Sequence, residues 1–187
     1  MKFATISTHH ATSQPALVIE DRVHTLPFPD MYAVIAAGAT EAASKASKDS
    51  LSIDEVKFLS PLKPNTLRDG YAFEQHVLTA NKNRGRDVPQ EWYEFPVFYF
   101  TNPNAVFGHD DEIPYPHYTK AMDYELEVAI VIGKGGMNIK AEDAEQHIFG
   151  YTIFNDWSAR DVQRKEMAVG LGPAKGKDFA SAFGPVI

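Results

Sequence analysis

Hydrophobic and polar positions alternate over short stretches along most of this chain, and helical spacing appears only in a few places. Residues Lys2–Ser7, 16–20 (ALVIE) and 23–27 (VHTLP) read as short strands, the last two separated by the polar pair Asp21 and Arg22. From 30 to 54 the pattern changes to Ala-rich helix formers. Gly38 weakens that helix, and Ser50 or Ser52 is placed to begin the next turn. Residues 56–65 (VKFLSPLKPN) predict a strand running into a proline-limited linker. A helix is predicted over 68–83, with Phe73, His76 and Val77 three and four apart.

FPVFYF at 95–100 reads as a buried strand, and NPNAVFGHDDEIPYP as a loop punctuated by Pro103, Gly108, Pro114 and Pro116. The clearest strand is 124–132. Ala141–His147 carries an acidic helical pattern, 150–156 returns to strand, and 158–167 is charged and helix-compatible. The chain ends on FGPVI, another strand entering. An apolar strand at that place needs partners, so the sheet is expected to be incomplete at its C-terminal end. The pattern predicts an α+β fold, predominantly β, with a small β-rich domain containing a helix over 1–61 and a larger domain over 62–187.

Composition adds exclusions. Across 187 residues, 44% are hydrophobic and 23% charged, an ordinary globular balance. There is no cysteine, hence no disulfide framework and no thiolate metal site. The net charge of −7, without a basic run, argues against nucleic acid as a partner. No secretory pattern opens the chain, and no apolar run reaches the roughly 18–20 residues that span a bilayer. A cytoplasmic protein without membrane contact is expected.

The segment DYELEVAIVIG (123–133) carries the most informative chemistry. Strand residues two apart share a face, so Glu125 and Glu127 lie side by side, followed on that face by Ala129 and Val131. Two carboxylates leading into a buried face need a positive partner, and a hard divalent cation suits oxygen donors. An exposed strand end with solvated glutamates is the competing reading. Asp156, where a strand meets a loop in YTIFNDWSARD, is placed to be a third ligand or the N-cap of the helix after it; taken alone, the cap is the simpler role. Asp69 and His76 are seven apart, close to two helical turns, so a shared helical face is expected. His76 near a cation site suits a general base. The other histidines have no supporting pattern.

Together these segments resemble the fumarylacetoacetate hydrolase superfamily. The residues that carry the resemblance are DGYAFEQH (69–76), ELE (125–127), NDWSARDVQ (155–163) and Gly176–Lys177. NDWSARDVQ at its distance after ELE is the most specific of them. The resemblance runs from about Leu62 to the last residue. It implies the family's mixed β-sandwich roll, here stopping before the end of the catalytic domain, with a small β-rich N-terminal domain.

It also implies roles. Asp69, Glu125, Glu127 and Asp156 match the metal ligands, with Mg²⁺ the first expectation and Mn²⁺ or Ca²⁺ the alternatives. His76 matches the base that activates water for carbon–carbon cleavage of a fumarylacetoacetate-like diketo acid in aromatic catabolism. Gln163 and Lys177 match residues that orient substrate and stabilise negative charge. Tyr71 and Tyr99 match substrate contacts, and Arg84, with Arg86 as the alternative, matches an arginine holding the substrate carboxylate. A homodimer is expected.

Three departures stand beside the resemblance. Thr79 occupies the place of a glutamate that the acylpyruvase and decarboxylase branch pairs with its lid histidine. Met167 stands where the fumarylacetoacetate-cleaving enzyme has a tyrosine, and the stretch from Gln163 to Lys177 is one residue longer. The acidic partner that orients the hydrolase histidine lies, in the family, beyond the last residue here. A short chain of this kind is expected to be poorly stable and weakly active by itself. Hydratase, decarboxylase or isomerase chemistry on 2-oxo acids is the alternative within the superfamily, and an inactive metal-binding paralogue the alternative outside enzymology.

Overall fold

Strand pairing organises the first sixty residues in the computed structural model, which describes residues Met1–Ile187. Strands β1 (Lys2–Ser7), β2 (Gln14–Ile19) and β3 (Arg22–Thr25) form an antiparallel meander, and β4 (Leu51–Ser52) and β5 (Lys57–Phe58) complete the sheet in the order β4-β3-β2-β1-β5. Alternation along β1 and β2 supplies apolar side chains to both faces. Phe3 and Leu17 pack with Leu26, Met31, Val34 and Ala42, whereas Ala4, Ile6 and Ala16 pack with Val23 on the other side.

The Ala-rich stretch folds as two helices, α1 (Met31–Ala37) and α2 (Ala39–Ser44), divided at Gly38 with φ +84°. Asp30 caps α1 by accepting from the Ala33 N–H at 2.8 Å. Of the two serines expected to start the next turn, Ser52 does so, in a reciprocal capping box with Glu55.

The expected helix over 68–83 divides. Residues Leu67–Gly70 form β6, paired antiparallel with β7 (Phe98–Thr101), and only Glu74–Asn83 forms α3. Pairing with β7 puts Asp69 opposite Tyr99, and this long-range ladder overrides local helix spacing. Asp69 and His76 therefore share no helical face. A short helix α4 (Glu91–Glu94) precedes β7, and Phe98 and Phe100 are exposed rather than buried, with the Arg68 guanidinium 4.6 Å from the Phe100 ring centre.

The second main sheet runs β10-β11-β13-β8, from β8 (Val106–Phe107), β10 (Leu126–Ile132), β11 (Ile148–Asp156) and β13 (Ser181–Phe183). Strands β9 (Met122–Asp123) and β12 (Ser158–Ala159) form a separate pair that leads into α5 (Arg160–Val169). The acidic stretch Ala141–His147 is a 3-10 helix. The strand expected at FGPVI forms earlier, as β13, with β11 on one side and β8 on the other; of the last four residues only Val186 makes a β-bridge, to Ala4. Ile187 then exchanges backbone hydrogen bonds with Phe3 at 2.8 and 2.9 Å, and Val131 and Ile187 join the Phe3 cluster. The two sheets thus share one apolar cluster.

The antiparallel register of β10 and β11 sorts their side chains cleanly. Glu127, Ala129 and Val131 stand on the same face as Thr152, Phe154 and Asp156. On the opposite face Leu126, Val128, Ile130, Ile132, Tyr151 and Ile153 are all exposed. No helix is long and apolar enough to cross a membrane.

Candidate metal centre

The inward face of β10 and β11 is apolar at one end and acidic at the other. Glu127 reaches its acidic end from β10, Glu125 from just before that strand, and Asp156 from the last position of β11. Asp69 arrives from β6. One carboxylate oxygen from each of Asp69, Glu125, Glu127 and Asp156 lies within 4.8 Å of the others. Asp156 is fully buried and does not cap α5, whose N-cap position is Ala159. The simpler role is thereby set aside.

Three other side chains hold the carboxylates. The Tyr99 hydroxyl lies 2.8 Å from Asp69 Oδ2 and also bonds Asp156 Oδ2; with one proton, it donates to one of them at a time. Lys177 Nζ donates to Asp156 Oδ2 at 2.5 Å and to Glu125. Arg160 Nη2 donates to Glu125 Oε1 at 2.6 Å, while its Nε turns to Asp123 at 2.9 Å.

These contacts divide the acids electrostatically. Burial would raise Glu125, but Lys177 and Arg160 outweigh it and hold the carboxyl below its usual range. Glu127 has no such partner. Burial, then the charges of Asp69, Asp156 and Glu125, push it up to about 8. Asp156 is raised by burial, an effect that Lys177 opposes. Burial and the two aspartates raise the Tyr99 hydroxyl, so it stays a donor.

The donor set fits a hard divalent cation. All four groups offer oxygen, and Asp156 Oδ1 is buried without any hydrogen-bond partner. An orphaned carboxylate oxygen amid like charges is costly unless a cation completes it.

Residues 65–187 match the family description "Fumarylacetoacetate (FAA) hydrolase C-terminal". The chain belongs to the fumarylacetoacetate hydrolase family. It is 37% identical over 140 residues to oxaloacetate tautomerase YisK of Bacillus subtilis, covering 73% of this chain and 44% of that protein. It is 39% identical over 155 residues to a fumarylacetoacetase of Oryza sativa subsp. japonica, covering 72% and 36%. A solved fumarylacetoacetate hydrolase from psychrophilic Exiguobacterium antarcticum superposes over the whole chain and 66% of its own, with a TM-score of 0.74 and 26% identity. The chain spans less than half the length of these two curated relatives. The mixed, mostly β fold expected from the pattern is that of the family.

The fumarylacetoacetate hydrolase resemblance named further residues, and the structure disperses some of them. Tyr99 and Lys177 join the carboxylates directly. Gln163 is one step removed, its Oε1 accepting from Arg160 Nη1 at 3.1 Å. His76 is exposed on the first turn of α3, with its ring edge-on to Tyr71 at 5.3 Å between centres. Arg84 ends α3 in an exposed position, and Arg86 lies in a surface groove with Gln75, Thr79 and Lys82. Neither arginine touches an acid of the cluster. Sequence reasoning missed the hold of Arg160 on Glu125; its place inside NDWSARDVQ, a few residues after Asp156, was the available signal.

Proposed function

We propose that this chain is a divalent-cation-dependent enzyme that cleaves a carbon–carbon bond in a fumarylacetoacetate-like diketo acid. The observation supporting it is the convergence of Asp69, Glu125, Glu127 and Asp156, with Asp156 Oδ1 buried and unpartnered. Mg²⁺ is the first candidate and Mn²⁺ or Ca²⁺ the alternatives; the bound cation supplies Lewis acidity toward a substrate carbonyl.

The chain's own residues supply the rest. His76 takes a proton from water as the water oxygen bonds to the carbonyl carbon. The adjacent carbon–carbon bond breaks, its electron pair leaves as an enolate, and that carbon then takes up a proton. Gln163 and Lys177 orient the substrate and stabilise the negative charge that develops, and Arg84 or Arg86 receives the far carboxylate of the substrate. Tyr71 and Tyr99 contact the substrate.

A second reading is keto–enol tautomerisation of a 2-oxo acid. One observation favours it: the chain is as similar to an oxaloacetate tautomerase, at 37% identity over 140 residues, as it is to a fumarylacetoacetase, at 39% over 155. Moving a proton between carbon and oxygen needs no activated water.

Turnover of acylpyruvates, fumarylacetoacetate-like diketones and the enol of oxaloacetate with Mg²⁺, in wild type and His76→Ala, separates the readings. Diketone cleavage lost in His76→Ala supports the hydrolase. Tautomerisation without cleavage, retained in the variant, would replace it with the second reading. No turnover of any substrate, despite cation binding, would contradict both.

A further inference from the structure

A cation site made of carboxylates has no evident need of a buried ammonium, yet Lys177 supplies one. Its side chain is only 3% exposed, and Nζ donates to Glu125 and, at 2.5 Å, to Asp156 Oδ2. The chain is built to hold it there. Glu166 Oε1 accepts from the Ala174 N–H at 2.8 Å and the Gly176 N–H at 3.1 Å, pinning the backbone just before the lysine. A side chain at Gly176 would meet the Gln163 Cβ and backbone N at 2.9 Å, so this segment is pressed against α5. The ammonium is therefore placed by the fold rather than drawn in by chance.

Charge counting shows what it does. Once a cation displaces the Glu127 proton, the four converging carboxylates carry four negative charges, and a divalent cation balances two of them. Lys177, through Asp156 and Glu125, and Arg160, through Glu125, balance the others. The outer partner of Arg160 is Asp123, about half exposed, where solvent screens the pair.

We propose that Lys177, backed by Arg160, sets the charge of the carboxylate site at two negative units and thereby makes it prefer divalent over trivalent cations. This rests on the cation reading given above. A trivalent lanthanide takes the same hard oxygen donors, so ligand chemistry alone separates the two classes poorly. Each fixed positive charge beside the site repels a trivalent ion by three units of charge product against two for a divalent ion. Lys177 is thus a specificity-determining residue that acts on the ion without ligating it.

The test measures dissociation constants for manganese(II) by calorimetry and for terbium(III) by luminescence, with competition between them. Wild type, Lys177→Met, Lys177→Arg and Arg160→Gln are compared at one pH and ionic strength. The preference for terbium(III) over manganese(II) is expected to rise about tenfold or more in Lys177→Met, and less in Arg160→Gln, whose charge is better screened. Lys177→Arg is expected to keep the wild-type ratio. Should Lys177→Met not fold, Arg160→Gln carries the same comparison and is read in the same way. Cation binding with an unchanged ratio in the charge-removing variants would overturn this inference alone. No binding of either ion by wild type would overturn the cation reading and this inference with it.

Discussion

Lys177 Nζ sits 2.5 Å from Asp156 Oδ2, and both side chains are buried, at 3% and 0% exposure. The pair joins a loop residue to the end of a central strand, at the point where Tyr99 and Asp69 also meet. Opposite charges taken this far from water hold only when each is well partnered. Here Lys177 serves two acids at once, and the second oxygen of Asp156 is left for a cation.

Removing the ammonium should therefore be costly when no cation is present. Lys177→Met is expected to lower the stability of the chelator-treated chain by about 3–5 kcal/mol, the usual cost of breaking a buried pair from one side. Added Mg²⁺ should return part of the loss by binding only the folded state. Denaturant titration with EDTA and with Mg²⁺ measures both.

Glu127 makes stability depend on pH in a defined direction. Its folded pKa of about 8 lies above the ordinary 4.5, so the folded chain keeps a proton that the unfolded chain releases. The stability this contributes is fully present below about pH 4.5 and is lost as pH rises through about 8. In EDTA the melting temperature should fall over that window, and Glu127→Gln should flatten the fall. Cation affinity should rise over the same window, because the ion competes with the proton.

Tyr99→Phe deletes the hydroxyl shared by Asp69 and Asp156 while keeping the ring. Groups that orient ligands in this way are worth about 10–100-fold in metal affinity. A weakening of Mn²⁺ binding within that range, with the circular dichroism spectrum of wild type, is expected.

Gly108 locks the loop after β8 against the segment that follows β5. A Cβ there would lie 2.3 Å from the Ser60 N and 2.6 Å from the Leu59 carbonyl carbon, both backbone atoms that cannot swing aside. Gly108→Ala is expected to cost about 1–3 kcal/mol, the range for overpacking, in a denaturation experiment with Mg²⁺ present.

The legible parts of the sequence were those set by local period. Alternation in ELEVAIVI marked the strand and put Glu125 and Glu127 on one face, because a period of two needs no knowledge of neighbours. Gly38 and Ser52 marked a break and a start for reasons of backbone geometry and capping. Asp69 was harder to place: its strand exists because β7 pairs with it, a contact about thirty residues away that spacing does not encode. Exposure of Phe98 and Phe100 was likewise invisible in an apolar run. NDWSARD marked the end of β11, but the reach of Arg160 back to Glu125 depends on how α5 departs from the sheet. The helical face expected for Asp69 and His76 failed for a similar reason, since Asp69 lies in β6 and only His76 in α3.

The most direct test of the metal centre is a manganese(II) titration of the purified chain, followed by electron paramagnetic resonance and calorimetry, in wild type and Asp156→Asn. A four-carboxylate centre predicts one ion per wild-type chain. It also predicts a loss of affinity of at least about 10–100-fold in the variant, which removes a ligand and leaves Lys177 with Glu125 alone. Equal binding by both proteins, or no binding by wild type, would contradict it.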